Sequence, residues 1–295
     1  MNFPALAARA LCAALVVASV PASRAADPRP VLPQAGRYLV DDSWRQPIAP
    51  VRLADHTWYV GTARLTALLI DTPQGAVLID GGMPQAADML LENLRTVGVE
   101  PSKLRWLLAS HAHADHAGPT AKVQRLTGAR IAANAESATM LARGGTDDIH
   151  FGDDITFPPV QADRYLQDGE AVVVGDMRLV ANFTPGHTPG STSWTWTDTR
   201  DGKPVRFAYV ESLTAPGYKL VDNARIPGIV GMFKQTFATV RGLTCDVLIT
   251  PHADVSGWTP ENTQAPHPAP MTCRALADAA EKKFDEELAK QRAAR

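Results

Sequence analysis

The chain has 295 residues, 45% of them hydrophobic and 20% charged, and a formal net charge of −2. That balance belongs to a globular protein of one large or two small domains. There is no basic run, so a nucleic-acid partner is not indicated.

Met1 to Ala25 stands apart. Arg9 precedes an apolar core, Ala10 to Val20, and Ser23-Arg24-Ala25 closes it with a small-x-small pattern. This predicts a secretory signal cleaved after Ala25 and a mature chain of residues 26–295 in the periplasm. The apolar core is too short to span a bilayer, so no membrane association is expected of the mature form. Cys12 leaves with the signal. Cys245 and Cys273 remain, and in an oxidising compartment a disulfide is their natural reading, with two buried free thiols as the alternative.

Asp27 to Pro50 is proline-rich and without period, and reads as an arm. Arg52 to Gly61 and Leu65 to Asp71 read as strands, Thr72-Pro73-Gln74-Gly75 as a turn, and Ala76 to Asp80 as a further strand. Asp80, before Gly81-Gly82, is either a turn or capping aspartate or a group that holds a metal-binding histidine. Pro84 to Val97 has the apolar spacing of an amphipathic helix. Leu104 to Ala109 reads as a buried strand, Ala121 to Leu126 as a helix, Ala129 to Ala133 as a strand and Glu136 to Ala142 as a helix. Gly144 to Pro159 is long enough to be a functional loop. In it, Phe151 and Ile155 are candidates to cover a substrate or to anchor the loop, and His150 is not assigned to metal. Ala171 to Phe183 reads as a strand pair. Trp194 to Thr197 continues as a strand, Asp198 to Lys203 as a turn and Val205 to Val210 as a strand. Pro227 to Val240 reads as a helix, Val247 to Thr250 as a strand and Arg274 to Gln291 as a helix. Two strand–helix halves packed as helix, sheet, sheet, helix would bury both sheets, which predicts an α/β, four-layer αββα sandwich in a single domain.

The chemistry concentrates between two of these elements. His111, His113, Asp115 and His116 fall within six residues at the end of the Leu104 strand. Strand-end turns are where α/β folds build sites. His187 sits between glycines and prolines in Thr184-Pro185-Gly186-His187-Thr188-Pro189-Gly190-Ser191, a tightly shaped turn suited to a fixed ligand. His252 also follows a strand. Six ligand-type residues divide into two three-ligand zinc sites, each with an open position for water or substrate.

His111-x-His113-x-Asp115-His116, Pro185-Gly186-His187-Thr188-Pro189-Gly190 and His252 together resemble the metallo-β-lactamase superfamily, and within it the third subclass of class B β-lactamases. The likeness runs over nearly the whole mature chain, through Asp80-Gly81-Gly82, Ala215-Pro216-Gly217-Tyr218 and the Cys245/Cys273 pair. The histidine–aspartate motif alone marks only the superfamily; Glu211 to Tyr218 and the cysteines narrow it. The resemblance implies zinc-dependent hydrolysis of the β-lactam amide of penicillins, cephalosporins and carbapenems, and so antibiotic resistance. It implies two Zn2+ per subunit, the first on His111, His113 and His187 and the second on Asp115, His116 and His252. Asp115 would also orient the zinc-bound hydroxide. Ser212 and Thr214 would contact the substrate carboxylate. Likeness to a homotetrameric member implies a homotetramer, with a monomer as the alternative.

One departure stands out. The subclass usually carries an aspartate before the serine, where this chain has Glu211, and the longer side chain has room to shift the Ser212 turn. A thioesterase resembling glyoxalase II, or a lactonase, would share the metal ligands, but such relatives typically add a bridging aspartate near position 211. A non-enzymatic zinc protein is a weaker alternative, because structural zinc sites are closed.

Overall fold

The computed structural model describes residues 29–34, 39–257 and 271–294. The expected leader, Met1 to Ala25, lies outside them. The chain enters its first sheet by antiparallel steps, β1 (Val51–Arg52), β2 (Thr57–Tyr59), β3 (Leu68–Thr72) and β4 (Gly75–Ile79), and the Thr72–Gly75 turn closes the last hairpin as its composition predicts. The strand expected over Arg52 to Gly61 is two strands. Leu53 and Ala54 both donate to the Thr57 carbonyl, which folds the chain back at Asp55 without a glycine or proline to mark the turn.

From β4 onward the sheet grows in parallel. The helix α1 (Ala87–Thr96) leads to β5 (Leu104–Leu108), and α2 (Ala114–Ala117) and α3 (Thr120–Thr127) lead to β6 (Arg130–Ala133). The helix α4 (Ala135–Arg143) precedes β7 (Arg164–Tyr165), a two-residue strand too short for its period to show in the sequence. The seven strands lie side by side in chain order.

The second sheet is built from β8 (Ala171–Val174), β9 (Met177–Phe183), β10 (Thr192–Arg200) and β11 (Lys203–Tyr209). After α5 (Ile229–Gly242), β12 (Val247–Ile249) joins it parallel to β11, and α6 (Cys273–Ala293) ends the described chain. The turn expected over Asp198 to Lys203 shrinks to Asp201-Gly202, both with positive φ (53° and 71°). An Asp-Gly pair in that conformation matches the twist of a two-residue hairpin, so pairing continues to Arg200↔Lys203.

Period-two alternation sorts the side chains into layers. Tyr59, Leu68, Ile70, Val77 and Ile79 of the first sheet meet Leu179, Ala181, Trp194, Phe207 and Tyr209 of the second. On the outer face of the first sheet, Leu69, Leu78 and Leu107 pack on Leu90, Leu94 and Val123. On the outer face of the second, Ala208 and Leu248 pack on Phe233 and Phe237 of α5 and on Phe284 and Leu288 of α6. The result is the expected helix, sheet, sheet, helix sandwich. Among the described residues no helix is long and apolar enough to cross a membrane.

Candidate metal centre

Asp80 closes β4 in the left-handed conformation (φ 57°) and is buried. Its carboxylate accepts from the Ser110 N–H at 2.7 Å, the Ser110 hydroxyl at 2.6 Å and the Tyr209 hydroxyl at 2.6 Å. It also lies 3.5 Å from His116 Nδ1. The two readings of Asp80 therefore combine: it forms the turn and it faces a histidine of the motif. It pins the exit of β5, from which His111 and His113 project. Asp115 and His116 do not continue an extended turn; they sit on α2, with His113 as its N-cap.

His187 comes from the β9–β10 connection. The Thr192 N–H donates to the Ser110 carbonyl at 2.8 Å, which ties that connection to the end of β5. Two glycines let the turn seat. A Cβ on Gly186, at φ 144°, would lie 2.9 Å from the Phe233 ring, and one on Gly190 would lie 2.3 Å from the Ser137 backbone nitrogen. His252 follows β12 and is joined by a bridge to Leu65, on the connection between β2 and β3.

Five imidazoles thus gather in one place. The ring of His111 lies 4.6 Å from those of His113 and His187 and 4.4 Å from that of His116, and His116 lies 5.1 Å from His252. Ligand atoms of His111, His113 and His187 fall within 4.8 Å of one another, and so do those of His111, Asp115 and His116. His252 joins through the carboxylate, its Nε2 lying 3.4 Å from Asp115 Oδ2, while His116 Nε2 lies 3.1 Å from the same oxygen.

The outward nitrogens of the first group each face an oxygen. His111 Nδ1 faces Glu211 Oε2 at 2.8 Å, His113 Nε2 faces Asp148 Oδ2 at 3.2 Å, and His187 Nδ1–H donates to the Thr214 carbonyl at 2.8 Å. The inward His111 Nε2 is buried without a hydrogen-bond partner, and the nitrogens of His116 meet only the Asp80 and Asp115 carboxylates, at 3.5 and 3.1 Å. A buried polar nitrogen left so is costly. An imidazole fixed on one nitrogen and bare on the other is how a metal ligand is presented. The donor set, imidazoles with one carboxylate, fits a borderline cation such as zinc.

Burial, then the neighbouring His113, pushes His187 down to about 3. Burial and the surrounding imidazoles likewise hold His111 well below its ordinary range. Both are neutral at pH 7 and ready to ligate. His116 goes the other way: burial opposes its charge, but the Asp115 and Asp80 carboxylates outweigh burial and push it up to about 10. A metal entering beside His116 must displace that proton. Binding there is expected to tighten about tenfold per pH unit up to about pH 10, releasing about one proton at pH 7. Calorimetry of the metal-free protein in buffers of different ionisation enthalpy measures this, and binding without proton release would contradict it.

The other expected site residues are placed unevenly. Phe151 packs edge-on against His113, ring centres 5.5 Å apart, and against Tyr218 at 5.8 Å. Ile155 is partly buried, its carbonyl close to Gly145 within the same loop. Ser212 is half-buried and Thr214 exposed; the contact that Thr214 makes to the centre is through its carbonyl, to His187. His150 stacks flat on Tyr218 at 3.3 Å.

Sequence reasoning missed Asp148, whose other oxygen accepts from the N–H groups of His150 and Phe151 at 2.8 Å each and so anchors the loop under His113. It also missed Trp44, from the arm, whose ring lies 4.8 Å from that of His252. The Glu211 carboxylate is buried behind His111.

The metallo-beta-lactamase superfamily model matches residues 64–202. The metallo-β-lactamase MIM-1 from Novosphingobium pentaromativorans is 35% identical, with a TM-score of 0.80 over 85% of this chain and 94% of that one. This chain belongs to the metallo-β-lactamase superfamily. Another solved member, the class B3 di-zinc metallo-β-lactamase LRA-12 from an Alaskan soil metagenome, is 28% identical, with a TM-score of 0.79 over 87% of this chain and 98% of that one. The superfamily is wider than β-lactamases. A hydroxyacylglutathione hydrolase of Anaeromyxobacter dehalogenans is 36% identical over 121 residues, a stretch that spans 38% of that protein.

Proposed function

We propose that this metallo-β-lactamase superfamily member opens the β-lactam ring of penicillins, cephalosporins and carbapenems, using two zinc ions, after export to the periplasm. His111, His113 and His187 would hold the first ion and Asp115, His116 and His252 the second. When bound, zinc supplies a Lewis acid and lowers the pKa of a water so that it is nucleophilic at neutral pH. Hydrolysis adds water across the amide C–N bond, the carbonyl becoming a carboxylate and the nitrogen taking a proton. The chain's own residues orient the substrate. Ser212 and Thr214 stand on the segment after β11 with hydroxyls suited to a carboxylate. Phe151, braced on His113 and Tyr218, closes the loop side with an apolar ring and excludes water.

The observation that favours this reading over a thioesterase or lactonase is the placement of Glu211. Those chemistries call for a carboxylate set between the two ligand groups. Glu211 lies behind His111, on the nitrogen turned away from them.

The test is turnover of a penicillin, a cephalosporin and a carbapenem against a thioester and a lactone, before chelation, after it, and after zinc is restored. Chelator-sensitive β-lactam hydrolysis that zinc recovers is expected. Hydrolysis that resists chelator, or faster turnover of the thioester or lactone, would refute the reading. Mass spectrometry of the periplasmic fraction should find a chain beginning near Ala26.

Ser212→Ala is expected to raise KM more than it lowers kcat, because a carboxylate contact exists in ground and transition states alike. The loss should be about 0.5–3 kcal/mol, as for a hydrogen bond to a charged group. Steady-state kinetics with both constants unchanged would remove Ser212 from the substrate contacts.

A further inference from the structure

We propose that Glu211 is the positioning residue of the first ligand triad, one buried carboxylate that sets the ring of His111 with one oxygen and the His187 turn with the other. Oε2 lies 2.8 Å from His111 Nδ1. Oε1 accepts from the Ser191 hydroxyl at 2.8 Å. That hydroxyl oxygen in turn accepts from the Thr188 N–H at 3.0 Å and lies 3.0 Å from the Thr188 hydroxyl. Thr188 follows His187 directly, so two ligands carried by different sheets meet on one side chain. The Glu211 N–H donates to the Ser193 hydroxyl at 3.1 Å, which fixes the carboxylate's own backbone to β10.

The Ser110 hydroxyl also comes within 3.2 Å of His111 Nδ1, but it donates to Asp80 at 2.6 Å. Of the two oxygens, Glu211 Oε2 is the nearer to the ring nitrogen. Nε2, on the opposite side of the ring, is the buried nitrogen that has no partner, as a nitrogen offered to a metal would be. Glu211 is fully buried, and the Ser191 hydroxyl donates to it. A fold that needed only to fill this space would place an apolar side chain there at less cost.

Length matters as well as charge. An aspartate would draw the carboxylate back by about 1.5 Å, one carbon–carbon bond. Neither the His111 ring nor the Ser191 hydroxyl would then be in reach unless β11 moved. The glutamate is therefore read as fitted to this pair of contacts.

The inference rests on the metal-site reading and not on the substrate, so the test reads metal. The metal-free mature protein is titrated with zinc against a chromophoric chelator and with Co2+ by absorption. Both titrations are run in the otherwise unmutated chain and in the His252→Ala background, which leaves the first triad as the complete one. Glu211→Gln is expected to weaken the first site 10–100-fold, as loss of an outer hydrogen-bond partner does, and to change its Co2+ spectrum, with the second site within about threefold. Ser191→Ala cuts only the Oε1 arm and should give a smaller loss at the same site; it carries the test if Glu211→Gln does not fold. First-site affinity within about twofold in both variants would overturn the inference. So would equal weakening of both sites alongside a lower Tm, which is the mark of a merely structural role. If the unmutated protein binds no metal at the triad, the metal-site reading itself has failed.

Discussion

His187→Ala is expected to abolish β-lactam hydrolysis, and His252→Ala to cripple it by a different route. His187 is 7% exposed, and its ring packs on both other members of its group, 4.6 Å from His111 and 5.1 Å from His113. Two imidazoles remain without it, and the Thr214 carbonyl loses the N–H it holds. Loss of an outer partner costs a metal site 10–100-fold, so loss of a ligand should cost at least about a thousandfold in activity. His252 is the most exposed of the ligand candidates, at 26%, and reaches the centre through Asp115. Its removal leaves Asp115 and His116 as a buried ion pair with one ligand position empty, so the second metal should fall away while the first stays. Metal analysis reads the two cases apart: the residual metal of His187→Ala should sit at Asp115 and His116, and that of His252→Ala at the first triad. A folded His187→Ala protein that keeps a tenth of the parent's kcat/KM would sink the assignment of the first site.

Much of this site was legible because its residues sit where strong local signals end. The apolar run of β5 marks a buried strand, and ligands two and four residues past its last apolar position, His111 and His113 after Ala109, could only lie on the turn. The glycines and prolines around His187 announce a constrained turn before any partner is known. What the sequence hid is what long-range pairing decides. Asp148 is one of several acids in a polar loop, and nothing local separates it from its neighbours; its meaning comes from His113, 35 positions away. Glu211 carries no periodic signal either, and its side chain turns inward because β11 brings it under His111. Trp44 lies in an arm without period, and the ring of His252 gives it its place. The split of β1 from β2 escaped because backbone hydrogen bonds to Thr57, and no turn-forming residue, make the bend.

Removing the disulfide, as Cys245→Ala with Cys273→Ala, is expected to lower Tm by roughly 6–16 °C while leaving metal content and kcat unchanged at 25 °C. Cys245 lies between α5 and β12, Cys273 is the first residue of α6 and is buried, and the bond closes a span of 28 positions. In the chain-entropy account a loop of that length stabilises by about 3–4 kcal/mol, and each kcal/mol moves Tm by roughly 2–4 °C in a chain of this size. Little else would compensate for its loss. The ion pairs between the two helices, Lys234 with Glu281 and Asp285 and Arg241 with Asp278 and Glu281, are at the surface, where such pairs contribute about 0–1 kcal/mol each. What remains is the packing of Phe284 and Leu288 on Phe233 and Phe237. That contact keeps α6 docked in the cool but has less margin on heating. The metal centre should not sense the change at 25 °C, because Phe284 still packs on Phe233, which backs the His187 turn at Gly186, and Gln291 still donates to the Tyr218 carbonyl at 2.8 Å. Differential scanning calorimetry of the oxidised, reduced and double-alanine proteins measures the effect. If all three melt within about 2 °C of one another, the disulfide does not hold α6 and packing alone does.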